Sequence, residues 1–148
     1  MRFDDHFAPR RRALGAAAIL AFALFASAAR AEDTQFLFEL LHGTKSTYRV
    51  AWDRLMKLVQ PTPDWLVRFN KDFDGVAGQV STVTIDGKPY SLSFVCKPTE
   101  CDQHKFVVLF DEKGVHAYGA LGGKDNAPFF YGSPSPAEQD AMAKEVKG

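Results

Sequence analysis

Thr82-Val83-Thr84-Ile85-Asp86-Gly87-Lys88-Pro89-Tyr90-Ser91-Leu92-Ser93-Phe94-Val95-Cys96 is the stretch that decides the fold. Its hydrophobic period is two. Val83 and Ile85 alternate with Thr82 and Thr84, and Tyr90, Leu92 and Phe94 alternate with Ser91 and Ser93. Such alternation puts apolar side chains on one face of a strand and polar ones on the other. Between the halves, Asp86-Gly87 is a two-residue connection suited to the positive φ of a tight hairpin turn. The stretch reads as an antiparallel hairpin whose return strand runs into Cys96.

Downstream, Phe106-Val107-Val108-Leu109-Phe110 is apolar at every position, the pattern of a central strand covered on both faces. Asp111 to Gly114 turns the chain, and Val115 to Leu121 and Phe129 to Tyr131 supply two further strands. Short connections between successive strands favour an antiparallel meander. Ser135-Pro136-Ala137-Glu138 is a capping box with Pro at the first helical position, opening a helix toward Val146.

Upstream of the hairpin the period is helical. Phe36, Leu37, Leu40 and Leu41 share one helix face that ends near His42-Gly43. Ser46 stands where it would cap a second helix, whose apolar stripe is Tyr48, Ala51, Trp52, Leu55, Met56 and Val59. Gln60-Pro61 stops it, and a short helical turn is expected from Asp64 through Phe69. From Gly75 the period changes to two. The expected fold is α+β: a five-stranded antiparallel β-meander flanked by helices on both faces, three layers α/β/α, with a disulfide-closed protruding loop.

The amino terminus has the pattern of a secretory signal over residues 1–31. Arg2, Arg10, Arg11 and Arg12 form a basic region, and Ala13 to Ala26 is an apolar run of 14 residues, shorter than the about 20 a spanning helix needs. Ala29-Arg30-Ala31 offers a small-x-small cleavage site. Residues 32–148 are then expected to form a single exported domain with no membrane segment. The whole chain carries 18 basic and 18 acidic residues. Five of the basic residues and two of the acidic ones (Asp4, Asp5) lie in the leader, which leaves 13 against 16, a net of −3. A mildly acidic domain has little with which to replace counterions along a phosphate backbone, so nucleic acid is not an expected partner. A basic protein is.

Cys96-Lys97-Pro98-Thr99-Glu100-Cys101 holds the only two cysteines. A thiol pair in an exported chain is expected to oxidise to a disulfide. Closing so short a ring stabilises by about 2 kcal/mol through chain entropy. Rigidity matters more: Pro98 fixes its own φ and restricts Lys97, leaving little ordering to be done on docking. Lys97, Thr99 and Glu100 are expected to point outward from this loop.

These residues resemble the Ivy family, the inhibitors of vertebrate lysozyme found in the bacterial periplasm, which carry Cys-Lys-Pro-His-Asp/Asn-Cys in a protruding loop. The likeness extends through Pro63-Asp64-Trp65-Leu66, Gly75-Val76, Tyr90 to Cys101, Phe106 to Phe110 and Gly132-Ser133-Pro134. It implies helices around a five-stranded meander, a location in the periplasm of a Gram-negative bacterium, and C-type lysozyme as partner. It also implies that Cys96, Lys97, Pro98, Thr99, Glu100 and Cys101 form an inhibitory loop that enters the enzyme's active-site cleft, closed by a Cys96–Cys101 disulfide. Lysozyme works with one protonated and one ionised carboxyl group, so a rigid finger of hydrogen-bond donors blocks both substrate and chemistry. The position of the family's His is Thr99 here, which substitutes a short hydroxyl for an imidazole. That departure keeps a second target class open, another peptidoglycan-cleaving enzyme such as the cell's own lytic transglycosylase. A third reading is a periplasmic ligand-binding domain with the disulfide as a staple.

Other chemistries are poorly supported. Cys96, Cys101, His104 and His116 are zinc-ligand types, but the spacing is loose and the compartment oxidising. Asp102 and His104 form a candidate carboxylate–histidine pair with no recognisable nucleophile motif beside it. Neither a cofactor nor enzymatic activity is expected, and the sequence sets no oligomeric state.

Overall fold

The computed structural model describes residues 34–42 and 46–148; the expected leader lies outside them. Its centre is the strand β4, Lys105–Phe110, buried along its whole length. Alternate residues go to opposite cores. Phe106, Val108 and Phe110 join one cluster, while Val107 and Leu109 join the other. This is the two-faced burial that an uninterrupted apolar run requires.

The first core packs against three helices, α1 Leu37–Leu41, α2 Thr47–Met56 and α3 Asp64–Asp72. Trp52 on α2 is fully buried there. Its ring meets Phe69 and Phe106 edge-on at centroid distances of 6.0 and 5.8 Å, the geometry aromatic quadrupoles prefer. Its Nε1 donates to Asn70 Oδ1 at 2.7 Å, which satisfies the one polar atom the burial would strand. The second core packs against α4, Pro136–Lys147, through Met142 and Val146. The expected capping box forms: Glu138 N donates to Ser135 Oγ, and Ser135 N donates to Glu138 Oε2. Helices thus cover both faces of the sheet.

The remaining strands are β1 Val76–Ala77, β2 Ser81–Ile85, β3 Lys88–Cys96, β5 Ala117–Gly122 and β6 Phe129–Tyr131. All pairings are antiparallel, and β3, β4, β5 and β6 lie side by side in that order. The β2–β3 turn uses Asp86 and Gly87 at φ +50° and +75°, as the hairpin requires.

Four details differ from the sequence expectation. A sixth strand, β1, pairs with β3 along the same edge as β2. The edge is interrupted at Gly78, where a Cβ would come within 2.4 Å of the Phe94 ring, and Ser93 Oγ donates to the Gly78 carbonyl. Ser46 occupies the N-cap position of α2, but its hydroxyl bonds to the Leu40 carbonyl and not to the first turn of α2. The turn expected at Asp64 to Phe69 is a nine-residue helix reaching Asp72. And β5 begins at Ala117, because Asp111 Oδ1 accepts from Val115 N and Asp111 N donates to the His116 carbonyl, drawing 111–116 into one turn.

Candidate functional site

Residues 97–104 join β3 to β4 at the end of the sheet where Cys96 pairs with Lys105. Lys97 N donates to the His104 carbonyl at 2.9 Å, so the ladder runs one rung past the strands. Cys96 is fully buried and bonded to Cys101, with Cα atoms 4.9 Å apart. The disulfide expected from the two cysteines is present. Within the ring, Glu100 N donates to the Lys97 carbonyl at 3.0 Å, placing Pro98 and Thr99 at the centre of a turn. Thr99 has φ +68°, the positive value that the third residue of a type II turn needs. Pro98, at the second position, supplies the complementary fixed φ. After the tip, Gln103 N and His104 N both donate to the Glu100 carbonyl and close a further turn.

The charges of the loop are paired with one another. Lys97 Nζ lies 2.7 Å from Glu100 Oε1, and His104 Nε2 lies 3.4 Å from Glu100 Oε2. Hydrogen bonding from Lys97, opposed by desolvation and aided by the charges of Lys97 and His104, holds the Glu100 carboxyl below the ordinary carboxylate range. Lys97 and Glu100 therefore clasp each other and are partly covered, while Thr99 is exposed. Pro98 and Thr99 are the exposed residues of the tip.

The loop is also braced from the side. Lys124 N, in the β5–β6 connection, donates to the Asp102 carbonyl at 2.7 Å. Gly123 lies so close to Gln103 that a Cβ would sit 2.2 Å from its carbonyl oxygen, so only glycine fits. Beside the brace opens a groove of about 870 Å³ between the start of α3, the foot of the loop and β6. Trp65 and Arg68 contribute to one wall, Lys97 and His104 to the foot, and Phe129 to the other wall. Phe129 is 74% exposed, whereas Trp65 is buried, with 7% exposed. Sequence pattern could not separate these two aromatics: each follows a proline within two residues and has an apolar neighbour, Leu66 beside Trp65 and Phe130 beside Phe129, and only the packing tells which is covered.

The remaining titratable candidates are dispersed. His116 Nδ1 bonds Asp111 Oδ2 at 2.8 Å in the β4–β5 turn, and His104 pairs with Glu100, not with Asp102. Both thiols of the considered zinc set are taken by the disulfide, and among the described residues no three His, Cys, Asp or Glu side chains gather as a metal site. No helix among the described residues is long and apolar enough to cross a membrane.

Residues 47–147 match the family described as "Inhibitor of vertebrate lysozyme (Ivy)". The chain belongs to the Ivy family. The match spans α2 through α4 and so includes the whole sheet and the disulfide loop. Among curated proteins, an Ivy relative named inhibitor of vertebrate lysozyme from Pseudomonas aeruginosa is 27% identical over 143 residues, covering 88% of this chain and 90% of that protein. An uncharacterized protein of the same organism is 26% identical over 127 residues, covering 78% and 79%.

Proposed function

We propose that this Ivy protein inhibits C-type lysozyme by inserting the loop Cys96, Lys97, Pro98, Thr99, Glu100 and Cys101 into the enzyme's active-site cleft. It acts in the periplasm of a Gram-negative bacterium as domain 32–148, after removal of residues 1–31, and protects peptidoglycan without performing catalysis of its own. The observation that carries this reading is the state of the loop. Its tip exposes Pro98 and Thr99 while a disulfide, a turn hydrogen bond and the Lys97–Glu100 pair restrain everything around them. A tip ordered before docking loses little conformational entropy on binding. The Thr99 hydroxyl and the Thr99 backbone N–H are donors of the kind that satisfy the carboxyl groups on which lysozyme depends, Pro98 having no N–H to offer. A mature net charge of −3 steers the encounter with a basic enzyme and raises the association rate.

The test is a titration of the oxidised protein against a vertebrate C-type lysozyme, following lysis of bacterial cell walls. Stoichiometric inhibition is expected for the native sequence. Lys97→Ala combined with Thr99→Ala should raise the inhibition constant by about tenfold or more, the usual effect of truncating central contacts, with the melting temperature little changed. A native protein that is folded and inert at high concentration would remove lysozyme as the target.

A further inference from the structure

We infer that the groove walled by Phe129 is a second contact surface for the same target enzyme, seating the rim of its cleft beside the inserted loop; the inference rests on the inhibitor reading. The sheet register supplies the first argument. Cys96 pairs with Lys105, Lys105 with Gly122, and Leu121 with Phe129. Phe129 therefore stands at the loop end of the sheet, two strand spacings or roughly 10 Å from β4. The groove is continuous with the loop, because Lys97 and His104 belong to both.

Area supplies the second. A stable protein–protein interface covers about 800 Å² on each partner, some 20–30 residues. A six-residue ring, with two exposed residues at its tip, does not approach that extent. A partner that closes around the tip must lay its rim on the ground beside the loop.

The third argument is the composition of that ground. Phe129 has the highest exposure of any large hydrophobic side chain among the described residues, at 74%. Phe, like Tyr and Trp, buries a large apolar area and dominates interface energetics when covered. Arg68, across the groove, keeps 56% of its side chain exposed while pairing with the exposed Asp74 carboxylate at 3.6 Å. An apolar side chain on the rim would cover Phe129, and a carbonyl or carboxylate next to it would meet Arg68. The brace from Lys124 and Gly123 makes loop and groove one rigid surface, so both are presented together without further ordering.

The experiment compares native protein, Phe129→Asp, Arg68→Ala and the Lys97→Ala/Thr99→Ala loop variant for lysozyme inhibition, melting temperature and sedimentation. Phe129 is exposed, so its replacement should fold; Arg68→Ala probes the opposite wall independently. The expected result is an inhibition constant at least about tenfold higher for Phe129→Asp and a smaller, salt-dependent rise for Arg68→Ala, both with native melting. Native inhibition constants for both variants would overturn the inference while leaving the loop reading intact. Loss on Phe129→Asp with no effect of the loop variant would support the groove and overturn loop insertion. A native protein that self-associates, and that Phe129→Asp renders monomeric with unchanged inhibition, would assign the groove to a second copy of this chain and overturn the inference. Absence of any lysozyme inhibition by the native protein would bring down both readings together.

Discussion

Thr99 holds a backbone conformation that its side chain resists. At φ +68° the Cβ of an L-residue crowds the following carbonyl, and branching at Cβ worsens the crowding. Such a residue stores of the order of 1–3 kcal/mol, and strain of this kind concentrates where a chain binds something. The turn bond from Glu100 N to Lys97 O and the ring closure by Cys96 and Cys101 keep it in place. Asn tolerates the left-handed region better than Thr. Thr99→Asn is therefore expected to stabilise the oxidised protein by about 1 kcal/mol, a rise of a few degrees in melting temperature. A scanning calorimetry trace with an unchanged or lower midpoint would mean that the tip adopts a different turn in solution.

At the scale of elements, the hairpin strand β3 and the helix α4 are joined by one side-chain bond. Tyr90 Oη donates to Glu138 Oε1 at 3.0 Å, while the other oxygen of Glu138 closes its own capping box. Desolvation, then the hydrogen bond and charge of Glu138, push the Tyr90 phenol up to about 12 from its ordinary 10.0. A group raised in this way contributes stability that is fully present below its unfolded value and is lost as pH climbs through the folded one. The protein is thus expected to lose stability between about pH 10 and pH 12. Tyr118 shifts in the same direction through desolvation and the charges of Glu138 and Asp111, so Tyr90→Phe should flatten this alkaline decline without abolishing it. At pH 7 the same substitution should cost about 1 kcal/mol, the worth of the lost hydrogen bond. Denaturant melts at several pH values between 7 and 12 measure both effects, and parallel curves for the two proteins would show that the Tyr90–Glu138 bond does not form.

At the scale of the whole molecule, β4 and its neighbours bind the layers into one body. Gly119 on β5 lies under Phe106: a Cβ there would come within 2.6 Å of the Phe106 ring and 3.3 Å of Leu55 on α2. Neither neighbour has room to yield, because both are buried in the first core. Gly119→Ala is expected to destabilise by about 1–3 kcal/mol through overpacking, visible as a lower urea midpoint with an unchanged far-ultraviolet spectrum. A midpoint equal to that of the native protein would show that α2 can move off the sheet at little cost. The site, at the loop end of the sheet, lies outside this contact, so inhibition measured well below the melting temperature should be unaffected.

Periodicity and turn chemistry by themselves determined the hairpin at Asp86-Gly87, the central strand Phe106 to Phe110, the capping box at Ser135, the apolar face of α2 and the helix–sheet–helix layering. These are local signals, because the spacing of apolar residues records which side of an element faces a core. The paired cysteines likewise placed the loop. The tertiary structure alone decided that β1 and β2 share one edge, since that depends on where the Phe94 ring lies across from Gly78. It decided that Lys97 and Glu100 clasp each other, because the pairing follows from the backbone angles at Pro98 and Thr99 and not from charge order along the chain. It also decided that Trp65 is covered and Phe129 bare. Burial of an aromatic side chain is set by elements distant in sequence, and no local pattern carries that information.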